Sequence, residues 1–193
     1  MSGEVAFTIL LVLVAIERIV ELVISKRNLT WSFAQGGIEF GRSHYKYMVV
    51  IHVFLLLGAL IEVWIVRPHL NPALSWTMFA LAISSQGLRW WCIGSLGQRW
   101  NTLVVIIPGK AAVTSGPYKW FKHPNYVAVV IEGFALPMVG FAWRTAIIFT
   151  VLNTFVLRAR LKSENAALAT LPIVPIVPIV PIVPIVPIVP IAP

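Results

Sequence analysis

The 193-residue chain has one cysteine, Cys92, no aspartate, and seven acidic residues, all of them glutamate. A single thiol excludes a disulfide-stapled secreted domain. Charged residues make up 11% of the sequence, against about 25% in ordinary soluble domains. So few charges cannot clothe the surface of a soluble globule. Apolar residues, in contrast, make up 59%, which excludes a disordered polar chain. A multi-pass helical membrane protein remains. The 15 Lys and Arg residues leave a net charge of +8.

Five apolar runs stand against the roughly 20 residues needed to span hydrocarbon. They cover residues 5–25, 47–66, 74–93, 126–141 and 145–157, the last continuing into a charged stretch that ends near Leu168. The first run is not a signal peptide: it has no basic leader, it contains Glu17, Arg18 and Glu21, and no small-residue cleavage site follows. The expected fold is therefore all-α, a polytopic membrane bundle of about five transmembrane helices, with a long cytosolic loop between helices 3 and 4. Positive charge sets the orientation. Counting loops with their margins, 12 of the 15 cations fall on one side: Lys26, Arg27, Arg42, Lys46, Arg89, Arg99, Lys110, Lys119, Lys122, Arg158, Arg160 and Lys162. Arg67 and Arg144 fall on the other, and Arg18 lies within the first helix. This places the N-terminus outside and the C-terminus in the cytosol, with a bacterial inner membrane as the expected location. The basic balance is topology and not a nucleic-acid footprint, since no basic stripe interleaves with exposed aromatics. Residues 1–171 form the expected membrane domain. Residues 172–193 are a Pro-Ile-Val repeat holding eight of the 14 prolines. Proline at every third position excludes helix and favours polyproline II, so this tail reads as a low-complexity extension.

Ionisable groups inside spans are candidates for function. Glu17 and Glu21 lie one helical turn apart, His52 and Glu62 fall in the second run, and Glu132 in the fourth. Pairing with Arg18 or Arg89 is the plain reading for the first helix's glutamates and Glu62. Glu132 divides between such pairing and a place facing a substrate. His44, His52, His69 and His123 show no metal-site spacing, so no metal is expected. Cys92 reads as a small core residue. No phosphate-cradling glycine loop and no nucleophile elbow is present.

Residues 94–125 interrupt the apolar pattern with Arg99, Trp100, Asn101, Thr102, Tyr118, Lys122 and His123. Loops of this length are usually functional. Gly116-Pro117 signals a turn, and Pro124 suits the first position of a helix. The segment GPYKWFKHPNY, an apolar hairpin and then RARLKSENAAL resemble the isoprenylcysteine carboxyl methyltransferase family, with its GxYxxxRHPxY and R-x-x-x-E-E segments. The resemblance covers residues 110–168, close to a third of the chain; related phospholipid methyltransferases are more distant. The first half, with ERIVELVISKRN and HYKYMVVIH, looks closer to a bacterial branch that includes alkylpyrone methyltransferases.

The resemblance implies an S-adenosylmethionine pocket. Lys110, Ala111, Ala112 and Val113 would line it, Tyr118, His123, Pro124, Asn125 and Tyr126 would wrap the cofactor, and Glu164 would bind it. Arg160 corresponds to the family arginine facing the acceptor, and it stands four residues before Glu164, on the same helical face. Lys122 stands where the family has arginine, keeping the charge and losing the bidentate fork. Asn165 replaces the second glutamate, and the Pro-Ile-Val repeat stands where the family has a tyrosine-containing basic tail. Arg160 and Lys122 are the expected catalytic groups, with Arg160, Trp100 and Glu132 facing the acceptor. Trp100, Tyr118 and Tyr126 are candidates for a cation–π role against a sulfonium. The implied reaction is methyl transfer to an anionic oxygen of a lipophilic or prenylated acceptor. The alternatives are an isoprenylcysteine-type carboxylate and the enol or phenol of an alkylpyrone or alkylresorcinol. From a different class, a non-catalytic scaffold or transporter-like bundle would also use intramembrane carboxylates. Membrane lipids are expected partners, nucleic acid is not, and the sequence leaves the oligomeric state open.

Overall fold

In the computed structural model, residues 2–169 are described; the expected Pro-Ile-Val tail lies outside them. Five α-helices are present among the described residues: α1 Gly3–Ala34, α2 Tyr45–Val66, α3 Pro72–Leu96, α4 Pro124–Val139 and α5 Trp143–Leu168. Each expected run falls on a helix, although α1 runs nine residues past its apolar stretch, to Ala34. Local signals set the helix ends. Arg67 closes α2 in the left-handed region, ahead of Pro68. Asn71 caps α3 by accepting from the Leu74 amide at 3.3 Å, with Pro72 in the first turn. Pro124 opens α4.

α1 shows how the helices divide their labour. Its inner stripe repeats every three or four residues: Phe7, Leu11 and Val14, then Glu21, Ser25, Asn28 and Ser32, all buried. The apolar half packs with Ala59, Val63, Leu136 and Ala142 at one end of the bundle. The polar half points to the other end, where the long loop folds back. The outward faces are apolar. Ile9, Leu13, Ile16, Val23, Val53, Leu57, Ile61, Phe155 and others are exposed, and a soluble surface does not show such a continuous apolar face. α2 is the one helix among the described residues long and apolar enough to cross a bilayer by length and composition. α4, at 16 residues, is about 24 Å long, shorter than the ~30 Å hydrocarbon core.

Two joints tie the helices. Glu62 of α2 accepts hydrogen bonds from the Arg144 and Thr145 amides at 3.1 and 2.8 Å and from Thr145 Oγ1 at 2.8 Å. It thereby satisfies orphan N–H groups at the start of α5, where a negative charge is favoured. Its partner is a helix N-terminus, not Arg18 or Arg89. At Gly133 of α4, any Cβ would overlap the Phe149 ring, so glycine permits α4 and α5 to approach closely.

The second joint lies among α1, α3 and α4. Arg18 bonds Glu21 at 2.8 Å and Gln86 at 2.7 Å; Gln86 bonds Glu132 at 3.0 Å; Arg89 bonds Glu132 directly. Arg18 also pairs with Glu17 at 3.2 Å, and Trp90 donates to Glu17. Arg89 is therefore a buried network residue and not part of the basic margin of the loop, which leaves 11 cations on that side, not 12.

One feature of the loop was not expected from the sequence. Ile38–Phe40 (β1) and Val104–Ile106 (β2) pair antiparallel, in the register Ile38↔Ile106, Glu39↔Val105 and Phe40↔Val104. This two-stranded clip, with short 3-10 turns at Arg42–His44, Gly97–Arg99 and Gly116–Lys119, fastens the loop after α3 to the loop after α1.

Candidate active site

The C-terminal ends of α1, α3 and α5 and the N-terminal end of α4 meet under the loop. They enclose a cavity of about 780 Å³. The loop is fixed over it from several sides. Asn28 donates to the Trp100 and Gly97 carbonyls at 2.8 and 3.2 Å. Ser25 Oγ accepts from the Thr102 amide at 2.9 Å. Arg99 Nη1 donates to the Ala111 carbonyl at 2.7 Å. Gly116 begins the turn into α4 with φ at +59°, and any side chain there would strike Ser95.

The wall formed by α4 and α5 holds a chain of polar groups. Arg160 Nε donates to the Tyr126 hydroxyl at 2.8 Å, and that hydroxyl donates to Glu164 Oε2. His123 Nδ1 lies 3.3 Å from Glu164 Oε1, and its Nε2 lies 3.1 Å from Asn165 Oδ1. The His123 ring stacks on Tyr126, with centroids 5.5 Å apart and planes 20° apart. The spacing explains the assembly. Pro124 starts α4, so His123 and Tyr126 share its first turn, while Arg160 and Glu164 share one face of α5.

The pair has electrostatic consequences. Burial works to raise the Glu164 carboxyl, but the hydrogen bonds from His123 and Tyr126 outweigh it and hold the group below the usual carboxylate value. The Glu164 hydrogen bond raises His123 above its ordinary value, against a smaller opposing effect of burial. Both ring nitrogens face oxygen acceptors, which suits imidazolium. Burial raises the Tyr118 hydroxyl, which is hydrogen-bonded to Cys92, so Tyr118 stays neutral.

Arg160 is buried, and its Nη1 meets only the Met48 thioether, at 3.0 Å. Its Nη2 has no protein partner among the described residues, so a donor remains for a ligand. Asn125 Oδ1 and Asn101 Oδ1 are buried without a hydrogen-bond partner among the described residues, and both residues line the cavity. Five Lys and Arg residues line it against one carboxylate: Arg99, Lys110, Lys119, Lys122 and Arg160 against Glu164.

Of the residues singled out from the sequence, Trp100, Lys110, Ala111, Ala112, Val113, Tyr118, Lys122, His123, Asn125, Tyr126, Arg160 and Glu164 all line this one cavity. Pro124 is buried beneath it as the helix opener. Glu132 is not among the lining residues: it is buried in the network with Arg89 and Gln86. The expectation that Glu132 faces a substrate is therefore corrected by its position. It sits nearly two turns further along α4 than Tyr126, where Arg89 bonds it and Arg18 lies 3.6 Å away. No group of three or more potential metal ligands occurs among the described residues. Asn101, one of the polar residues of the 94–125 segment, also lines the cavity; sequence reading missed Ser32 and the β2 residues in the lining, and Met48 against Arg160. The polar spacing of Ser25, Asn28 and Ser32 was a usable signal for the first. Nothing local pointed to Met48.

Comparison with known proteins agrees with the motif order. The isoprenylcysteine carboxyl methyltransferase family matches residues 77–170, which span α3, the loop, α4 and α5. The uncharacterized protein YpbQ of Bacillus subtilis is 35% identical over 163 residues, covering 84% of this chain and 96% of that protein. An uncharacterized protein of Haemophilus influenzae is 26% identical over 155 residues, covering 80% of this chain and 90% of that one. No solved structure matches the chain significantly. The chain belongs to the isoprenylcysteine carboxyl methyltransferase family. It is a membrane protein and a methyltransferase of that kind.

Proposed function

We propose that the protein transfers a methyl group from S-adenosylmethionine to an anionic oxygen on a lipophilic acceptor at the membrane–cytosol interface. The observation that carries this reading is the Arg160–Tyr126–Glu164–His123 chain along one wall of the cavity. The residues suit the cofactor. The unpartnered Asn125 Oδ1 and the ionised Glu164 would accept hydrogen bonds from its amino or hydroxyl groups. The faces of Tyr118 and Trp100 would favour a sulfonium, whereas the Tyr126 ring already carries His123 and Arg160. Lys110 or Lys122 answers its carboxylate. When bound, S-adenosylmethionine supplies an electrophilic methyl on sulfur.

The chain's own contribution is alignment and charge. Arg160, held by Tyr126, presents its open Nη2 to an acceptor oxygen and keeps that oxygen ionised and oriented. An acceptor that arrives as an anion needs no general base, so proximity supplies much of the rate. Lys122 and Lys119 add positive potential around the same cavity. We read all five helices as spanning, with the cavity on the basic, cytosolic side. This arrangement lets a soluble cofactor enter from water and a hydrophobic acceptor enter from lipid. The family favours an isoprenylcysteine-type carboxylate; the enol or phenol of an alkylpyrone or alkylresorcinol presents the same anionic oxygen to Arg160.

Labelled S-adenosylmethionine incubated with the purified protein in detergent is expected to bind, and to label a lipid fraction when membranes are added. Methanol released from that fraction by alkali identifies a carboxyl ester, whereas retained label identifies an aryl or enol ether. Absence of binding at millimolar cofactor overturns the proposal.

A further inference from the structure

The segment HYKYMVVIH, residues 44–52, lies outside residues 77–170, which match the family. His44, Met48 and His52 recur at every fourth position and so form one stripe along the start of α2. The stripe faces α5. Gly41, with φ at +66°, lies between His44 and Ser163, and any Cβ there would strike both side chains. His52 Nδ1 meets the Met48 carbonyl at 2.7 Å. The His52 ring stands edge-on to Phe149 of α5, with centroids 5.4 Å apart and planes 87° apart. Between these two contacts, Met48 Sδ lies 3.0 Å from Arg160 Nη1. The start of α2 is thus fixed against α5 on both sides of Met48, and the packing sets the sulfur beside the guanidinium.

A thioether is an odd partner for that group. Arg160 is 7% exposed, and a guanidinium carries five N–H donors. One goes to the Tyr126 hydroxyl and one to the sulfur, a weak acceptor. Arg160 forms no ion pair among the described residues. Glu164, one turn further along α5, bonds Tyr126 and His123 instead. A buried charge without an anionic partner is costly. Glutamine or glutamate has about the length of methionine and would set an oxygen against Nη1. Methionine fills the same space and leaves the positive charge available.

We infer that Met48 is a positioning residue that keeps the Arg160 charge uncommitted, so that the larger cavity selects an anionic over a neutral oxygen in the acceptor. Met48 acts through Arg160 and is not among the cavity's lining residues. The same selectivity favours release of the product, because methylation removes the negative charge that Arg160 holds. The inference rests on the reading that Arg160 faces the methyl acceptor.

The test is a binding measurement that does not depend on turnover. Tritiated dodecanoate and tritiated methyl dodecanoate, a carboxylate and its neutral ester, are titrated in mixed micelles against the full-length wild type, Met48→Leu, Met48→Gln and Met48→Glu. The melting temperature is the folding control. Wild type is expected to bind the carboxylate about tenfold more tightly than the ester. Met48→Leu, which brings no oxygen, is expected to keep that preference. Met48→Gln is expected to cut it to about threefold, and Met48→Glu to abolish it, each with S-adenosylmethionine binding unchanged. A residue that only fills space would leave the preference intact in Met48→Gln and Met48→Glu, and that result overturns the inference. Loss of the preference in Met48→Leu, or a parallel fall in cofactor affinity in Met48→Gln, overturns it as well. Equal binding of both probes by wild type overturns the acceptor reading of Arg160 and the inference with it. A preference that falls in Met48→Gln, in a protein that binds no S-adenosylmethionine, overturns the methyltransferase reading and leaves the role of Met48 standing.

Discussion

The bundle contains two clusters of charge, and they are built on opposite plans. In the Glu17–Arg18–Glu21–Gln86–Arg89–Glu132 network, each side chain is bonded to another member, and none of the six lines the larger cavity. In the Arg160–Tyr126–Glu164–His123 cluster, the bonds run along a cavity wall and leave Arg160 Nη2 and the nearby Asn125 Oδ1 open. A charge within an apolar helix is expensive wherever it lies. Both clusters keep unpartnered polar atoms, Arg18 Nε, Glu21 Oε1 and Arg89 Nε in the first; what separates a joint from a site is whether such atoms lie beside a cavity. Glu132, buried, and Glu164, half-buried, both stand on helices, and only the second lines the cavity.

The sharpest way to break this contrast is Arg89→Leu. Removing Arg89 takes away the direct partner of Glu132 and leaves Arg18 as the one cation among Glu17, Glu21 and Glu132, with an expected loss of about 3–5 kcal/mol of stability. Thermal unfolding in detergent measures it, and the cofactor affinity of the molecules that remain folded should stay within about threefold of wild type. A selective loss of affinity at unchanged stability would place the network in the site.

Glu164→Ala should do the reverse. Cofactor affinity is expected to fall about a hundredfold, as for truncating one side of a buried charge-assisted contact, while the melting temperature moves little. Equilibrium binding of labelled S-adenosylmethionine is the measurement. Arg160→Lys keeps the charge and loses the fork that reaches both Tyr126 and the acceptor. Methyl transfer should fall about tenfold with cofactor affinity preserved. Equal losses in both would move Arg160 to the cofactor.

The smallest effect is a pH profile. His123 is raised above 6.5 and Glu164 lowered below 4.5. The His123 contribution is complete below 6.5 and is lost as pH rises through its raised folded value. The Glu164 contribution is present above 4.5 and is lost as pH falls through its lowered value. His123→Gln should therefore cost about 1 kcal/mol in the interval between them, and the difference from wild type should close on the alkaline side. A constant difference across that range would mean that the ion pair contributes nothing.

By itself, the sequence placed five helices, because apolar length and Pro124 are local signals that act through backbone geometry and solvation. It also placed the site's contents. HPNY and RARLKSEN name side chains whose spacing puts them on single helical faces, and His123, Asn125, Tyr126, Arg160 and Glu164 line one cavity. Only the tertiary structure decided which partner each charge takes. Glu132 lies in the network because α3 delivers Arg89 and Gln86 to it, and Glu62 caps α5 because the α4–α5 turn brings that helix start beside α2. The β1–β2 clip and Met48 against Arg160 likewise join residues far apart in the chain. A three-residue strand or a lone methionine has no periodicity to read, and its meaning comes only from what packing sets against it.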